Sequence, residues 1–192
     1  MRKASAPTSP RNGDKTELTK PEARRHNTSD TEERSFLVAY FSHSGNTRVI
    51  ANRIQEIMGG DIFEIVSVDA YPSDYDECVE QARRELREDY RPKLKTKVES
   101  MESYNVVFVG YPDWWGTIPR PVAAFLSEYD FSGKTIAPFC THEGSGLGRS
   151  VTDIEQFLPQ STILDGLAVR GRDAKRAQNE VSQWLRRIGM KR

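Results

Sequence analysis

The chain has 192 residues, with 28 lysines and arginines balanced by 28 aspartates and glutamates. That length suits one α/β domain with a real core and is short for two. The even charge offers no basic face of the kind that nucleic-acid binding needs, which argues against a nucleic-acid partner. No run approaches the roughly 18 apolar residues of a membrane helix. Residues 1–34 hold no apolar stretch that could form a signal-peptide core. No membrane insertion is expected, and cytoplasmic is the expected location. Cys78 and Cys140 form neither a CxxC pair nor a zinc pattern, and read as free thiols in a reducing compartment.

Residues 1–34 are rich in Ser, Thr, Pro, Lys, Arg and Glu and nearly devoid of large apolar side chains. Such a segment buries too little surface to offset its chain entropy, so it reads as a disordered tail. It carries eight basic and six acidic residues, leaving 20 and 22 for the domain expected over 35–192.

After Arg34 the pattern changes. Phe36 to Phe41 is a short apolar run suited to a strand. Past a polar loop, Ile50, Ile54, Ile57 and Met58 form a helical stripe that Gly59-Gly60 ends. Ile62 to Val66 reads as a second strand. Residues 71–90 read as a loop and a helix with Tyr75, Val79, Ala82 and Leu86 inward and a solvated Glu/Arg face outward. Val106 to Gly110 is a continuous apolar run, as in a strand buried on both faces of a parallel sheet. A helix over Ile118 to Tyr129 follows, with prolines near its start, where they are tolerated. A fourth strand is expected over Thr135 to Cys140, a helix around Val151 to Leu158, a weaker fifth strand from Thr162 through Val169, and a last helix over Ala174 to Ile188.

Strands alternating with helices imply right-handed crossovers and a parallel sheet covered on both faces. The fold class is therefore α/β: a doubly wound three-layer sandwich around a five-stranded parallel sheet. Ligands of such sheets bind beyond the carboxyl ends of the strands. Three loops lie there. The first, Ser42-His43-Ser44-Gly45-Asn46-Thr47, surrounds the start of a helix with hydroxyls, a glycine and an amide. Free backbone N–H groups at such a start favour an anion. It contains no lysine and is neither a Walker A loop nor GxGxxG, so it suits a phosphate held statically. The second, Tyr111 to Pro119, holds Trp114 and Trp115, flat surfaces for stacking a planar ring. One of the two is expected to pack beneath the loop onto the neighbouring helix, and the pattern does not say which. The third, Thr141 to Gly148, has three glycines in eight residues and offers its main chain to a heterocycle edge.

Together these loops resemble the flavodoxin-like proteins, in particular the short-chain subgroup. The matching motifs are Ser-x-Ser-Gly-Asn-Thr, Pro-x-Trp-Trp-Gly and Gly-Ser-Gly-x-Gly, with Arg91-Pro92-Lys93-Leu94 as a further likeness. The resemblance runs from about Phe36 to about Gly171. It implies strand order 2-1-3-4-5 and FMN as cofactor, placed at the switch point where flavodoxins hold it. By matching positions, Ser42, Ser44, Gly45, Asn46 and Thr47 would hold the phosphate. Pro112, Asp113, Trp114, Trp115 and Gly116 would flank the ring, with a carbonyl near Gly116 accepting from its reduced N5. Thr141, His142, Gly144, Ser145 and Gly146 would line its other side or pyrimidine edge.

The expected function is electron transfer through non-covalently bound FMN, to a redox partner protein or a small-molecule acceptor. The alternative is an FMN-dependent NAD(P)H:quinone-type oxidoreductase, in which His43 or His142 donates a proton; the plainer role for each is a hydrogen bond to loop backbone or solvent. A near-neutral domain departs from the strongly acidic flavodoxins that dock large partners. A hydrolase using Ser44 and His142, or a phosphate-binding regulator, is the less favoured class, since no G-x-S-x-G elbow is present.

Overall fold

The computed structural model describes residues 35–190. The disordered tail expected over 1–34 lies outside the described residues. A parallel sheet is built from β1 (Phe36–Tyr40), β2 (Asp61–Glu64), β3 (Val106–Pro112), β4 (Thr135–His142), β5 (Thr162–Ile163) and β6 (Leu167–Arg170). The order is β2-β1-β3-β4-β5, with β6 also on β4, so the expected doubly wound 2-1-3-4-5 layout holds. Helices α1 (Asn46–Met58), α2 (Tyr75–Arg87), α3 (Arg120–Glu128), α4 (Ser150–Phe157) and α5 (Gln178–Arg187) complete the layers.

The central strands follow from burial. Val106, Val107, Phe108 and Val109 are each at most 4 % exposed, because β3 is paired on both edges, to β1 and β4, and covered on both faces. One apolar core contains Val107, Val109, Val122 and Phe125 from β3 and α3. The other contains Val38, Phe108, Ile50, Ile54, Val181 and Trp184 from β1, β3, α1 and α5. Gly110 lies beside Phe139, whose Cζ would be 2.1 Å from an added Cβ. Only glycine fits there.

Three expectations change. The fifth strand is two short pieces, pairing Thr135–Ile136 and then Phe139–His142 of β4. Between them the Asp165 carbonyl accepts the Trp184 indole N–H at 2.8 Å, a partner off the sheet. The last helix begins later than Ala174, after a 3-10 turn over Gly171–Arg176. On α2 the buried residues are Cys78, Ala82 and Glu85, whereas Tyr75 is 78 % exposed. Glu85 was expected on a solvated face. Instead its carboxylate accepts from the Tyr71 hydroxyl at 2.5 Å and from Gln81 Nε2 at 2.8 Å, which compensates its burial. Helix α2 starts on a sequence-encoded cap, Asp74 accepting from the Glu77 N–H at 3.0 Å.

Candidate functional site

The first loop runs from β1 into α1. Gly45 sits at the N-cap with φ 90°, in the left-handed region where glycine is at ease, and no side chain caps the helix there. The Ser42 hydroxyl oxygen accepts from the Arg48 N–H at 3.3 Å, leaving its own hydrogen to donate. The Arg48 guanidinium is committed elsewhere: it pairs with Glu64 and donates to the Tyr40 hydroxyl at 3.3 Å. The helix start therefore offers hydroxyls, an amide and main-chain N–H groups without a fixed cation. That donor set suits a singly anchored anion.

Thr47 behaves differently from the expectation that its hydroxyl faces a ligand. It is 1 % exposed, and its Oγ1 shares a hydrogen bond of 2.8 Å with Oγ1 of Thr141, at the end of β4. It ties the first loop to the third.

The second loop closes on itself: Trp114 and Thr117 exchange backbone bonds, N–H to carbonyl, at 3.1 and 3.2 Å. This turn separates the two indoles. Trp114 packs edge-on against Tyr71, Phe41 and His43, with ring centroids 5.0, 5.4 and 5.9 Å away. Trp115 is 49 % exposed and has φ 58°, which costs a bulky side chain free energy. Trp114 packs beneath the loop, against Tyr71, Phe41 and His43 rather than onto a helix, while Trp115 reaches helix α2 through its indole N–H. The Gly116 carbonyl accepts from the Arg149 N–H at 2.8 Å, so it is already engaged by protein.

The third loop is held against the second. An added Cβ on Gly148 would lie 2.3 Å from the Gly116 carbonyl oxygen. Ser145 donates its hydroxyl to Asp113 Oδ2, while Asp113 Oδ1 is buried with no hydrogen-bond partner among the described residues. His142 accepts the Gly146 N–H on Nδ1 at 3.1 Å, which leaves its proton on Nε2 in the neutral ring. His43 bonds the Pro72 carbonyl through Nε2 at 3.0 Å. The Cys140 thiol, beneath this loop, donates to the Gly146 carbonyl at 3.3 Å. Burial, and then the charge of Asp113, push that thiol up to about 12. It is a buried donor, not a reactive thiolate.

The three loops surround one cavity of about 570 Å³, within the usual range for small-molecule sites. Most of the expected residues line it: Ser44 and Asn46 of the first loop, Pro112 to Gly116 of the second, and Thr141, His142, Gly144 and Ser145 of the third. Ser42, Gly45, Thr47 and Gly146 are outside the lining. Gly146 has both main-chain groups engaged by Cys140 and His142. Glu143 and four residues of α2 also line the cavity. Of these, Tyr75, Val79 and Ala82 match the inward stripe expected of α2 and Cys78 adds to it; nothing in an amphipathic period says whether such a stripe meets a sheet or a cavity.

The family model for flavodoxin matches residues 35–188. The chain belongs to the flavodoxin family. Solved structures agree. A protein from Bacteroides eggerthii, assigned as a flavoprotein, is 32 % identical, covers 82 % of this chain and 99 % of its own, and superposes with a TM-score of 0.73. One from Bacteroides uniformis, assigned likewise, is 28 % identical over 80 % of this chain and 98 % of its own, with a TM-score of 0.72. A Lactobacillus acidophilus flavoprotein solved in complex with FMN is 21 % identical over 79 % and 98 %, with a TM-score of 0.63, and speaks for the flavodoxin fold. Among curated proteins nothing matches the sequence. No helix among the described residues is long and apolar enough to cross a membrane.

Proposed function

We infer that this flavodoxin-family chain binds FMN non-covalently in the 570 Å³ cavity and serves as an electron-transfer protein. The observation that carries the reading is a juxtaposition. A helix start with neutral donors and the Trp114–Trp115 loop open on the same cavity. The first fits a phosphate monoester and the second a planar ring, and FMN joins both in one molecule. The FMN-bound relative from Lactobacillus acidophilus shares this fold.

Ser44 and Asn46, which line the cavity, would hold the phosphate, with Ser42 and Gly45 beside them in the same loop and Thr47 positioning it through Thr141. Trp115, half exposed at the rim, is the indole that would lie against the ring, its N–H held by the Val79 carbonyl and Arg83 over one face. Trp114 fixes the loop that presents it. Among the described residues no group donates to the Trp115 carbonyl, so it is the acceptor available to a reduced ring N–H in place of Gly116. When bound, the flavin supplies reversible electron uptake, and the protein contributes orientation and exclusion of water. The hydrolase alternative finds no support: no hydrogen bond joins Ser44 to His142 among the described residues, and His142 Nδ1 is occupied.

Titration of the apoprotein with FMN and with riboflavin, followed by flavin fluorescence, tests the reading. FMN should bind at least about tenfold more tightly, the worth of a phosphate at a helix start reinforced by hydroxyl donors. Equal affinity, or binding of neither, overturns it. An NAD(P)H:quinone-type reaction is the second reading, supported by the apolar surface that Val79 and Ala82 of α2 add to the cavity.

A further inference from the structure

Helix α2 is a wall of two cavities. Tyr75, Cys78, Val79 and Ala82 recur at i, i+3, i+4 and i+7 and face the first, the one given to FMN. Gln81, Arg84, Glu85 and Glu88 recur at the same spacing on another face and line a separate cavity of about 300 Å³. The two cavities share no lining residue. The opposite wall of the second comes from Asp69 and Tyr71 before α2 and from Tyr90 and Pro92 after it. These flanking segments are held in place. The Val68 N–H donates to the Lys93 carbonyl at 2.8 Å. The Ser67 hydroxyl donates to the Asp69 carbonyl at 2.7 Å. The buried Arg120 guanidinium donates to the Tyr90 carbonyl at 2.8 Å. The Tyr71 ring is fixed edge-on against Trp114. The second cavity is therefore built from tethered walls.

Its charge is one-sided. The lining holds three carboxylates, Asp69, Glu85 and Glu88, against one guanidinium, Arg84. Glu85 is only 7 % exposed. Tyr71 and Gln81 donate to its two oxygens, which offsets their burial but brings no positive charge. Among the described residues no cationic side chain pairs with Glu85. A buried carboxylate without a cation is uncommon. Each of its oxygens keeps a second lone pair for a further donor. Burial, and then the bond to Glu85, push the Tyr71 hydroxyl up, so Tyr71 stays the donor in that pair.

These features select the ligand. An anion would meet like charge. No three acidic, histidine or cysteine side chains among the described residues are gathered closely enough to hold a metal ion. A neutral molecule would leave Glu85 without its counter-charge. An alkylammonium ion meets both needs: its cationic end pairs with the carboxylate, and its methylenes lie along the rings of Tyr71 and Tyr90. Three carboxylates against one guanidinium are balanced by two ammonium groups.

We propose that this second cavity binds a short alkyl diammonium ion, one ammonium on Glu85 and the other toward Glu88 and Asp69 at the rim. FMN need not be present, since the two cavities are separate.

The test titrates the full chain calorimetrically, as wild type, Glu85→Gln, Glu88→Gln and Glu80→Gln. The probes are butane-1,4-diamine, butylamine, butane-1,4-diol and the lysine side-chain analogue Nα-acetyl-lysine methylamide. Wild type should bind the diamine and not the diol. Butylamine and the lysine analogue should bind about fivefold more weakly than the diamine, the worth of one further ion pair. Glu85→Gln should weaken the diamine by about tenfold or more, as expected for a hydrogen bond to a charged group. Glu88→Gln alters an exposed side chain and should weaken it about threefold, which keeps the test informative should Glu85→Gln fail to fold. Glu80 is on the same helix but outside the lining, so Glu80→Gln should leave the affinity unchanged. No saturable diamine binding, equal binding of the diol, or equal diamine affinity in all four proteins overturns the site. A loss in Glu80→Gln as large as in Glu88→Gln would reduce it to general surface charge and overturn it too. A lysine analogue that binds as tightly as the diamine would give the cavity to a protein side chain and overturn the diammonium assignment.

Discussion

Thr47 and Thr141 are 94 residues apart in sequence, and their buried hydroxyls meet at 2.8 Å. One lies in the first turn of α1 and the other near the end of β4, so this bond sets the spacing between the phosphate-side loop and the glycine-rich loop. Replacing Thr141 by Val would leave the Thr47 hydroxyl buried without a partner, a cost of about 1–3 kcal/mol. FMN affinity should fall with stability in Thr141→Val, while the double variant Thr47→Val/Thr141→Val recovers part of the stability. A double-mutant cycle by chemical denaturation checks this; additive effects would show that the two hydroxyls are not coupled.

The two tryptophans should separate stability from cofactor behaviour. Trp114 is packed against Phe41, Tyr71 and His43, so Trp114→Ala should cost about 3–5 kcal/mol in denaturant. Trp115 is half exposed. Trp115→Ala should cost under about 1 kcal/mol but shift the midpoint potential of the bound flavin. The reverse pattern in denaturation and redox titrations would exchange the two roles.

Gly148 holds the second and third loops together. It has φ 52°, and an added Cβ would press on the Gly116 carbonyl oxygen, which accepts from the Arg149 N–H. Gly148→Ala should force the loops apart at about 1–3 kcal/mol and weaken FMN binding. Isothermal titration would read this as a higher dissociation constant; unchanged affinity would mean that the loop junction does not shape the site.

Stability should fall in alkali. Burial raises the Cys140 thiol to about 12 from 9.0, with the Asp113 charge adding to it, and burial first also raises Cys78 and Tyr71. With folded values above unfolded ones, the unfolded chain loses protons first and binds fewer of them. The protonated thiol's contribution is therefore whole below about pH 9 and is lost between about 9 and 12. The urea midpoint should decline over that window, and less steeply in Cys140→Ala. A midpoint that rises above pH 9 contradicts the assignment.

The sheet and the three loops were legible in the sequence because their signals are local. An apolar run such as Val106–Val109 has no exposed face to explain, and Ser42–Thr47 and Pro112–Gly116 each follow a strand end. What escaped depends on contacts between distant segments. The break in the fifth strand line comes with an indole N–H supplied from α5. Glu85 looks like one more charge on a solvated helix face until Tyr71 and Gln81 are seen to satisfy it. Thr47 resembles a ligand-facing hydroxyl in its motif, and only the fold brings Thr141 to it. The α2 wall was hidden for the same reason: a stripe of apolar residues fits a core and a cavity equally well.

The visible spectrum of the purified full chain is the direct test of FMN binding. Flavin absorbance is expected in the protein as isolated or after reconstitution, with release of FMN on denaturation. A chain that stays colourless after incubation with FMN would contradict it.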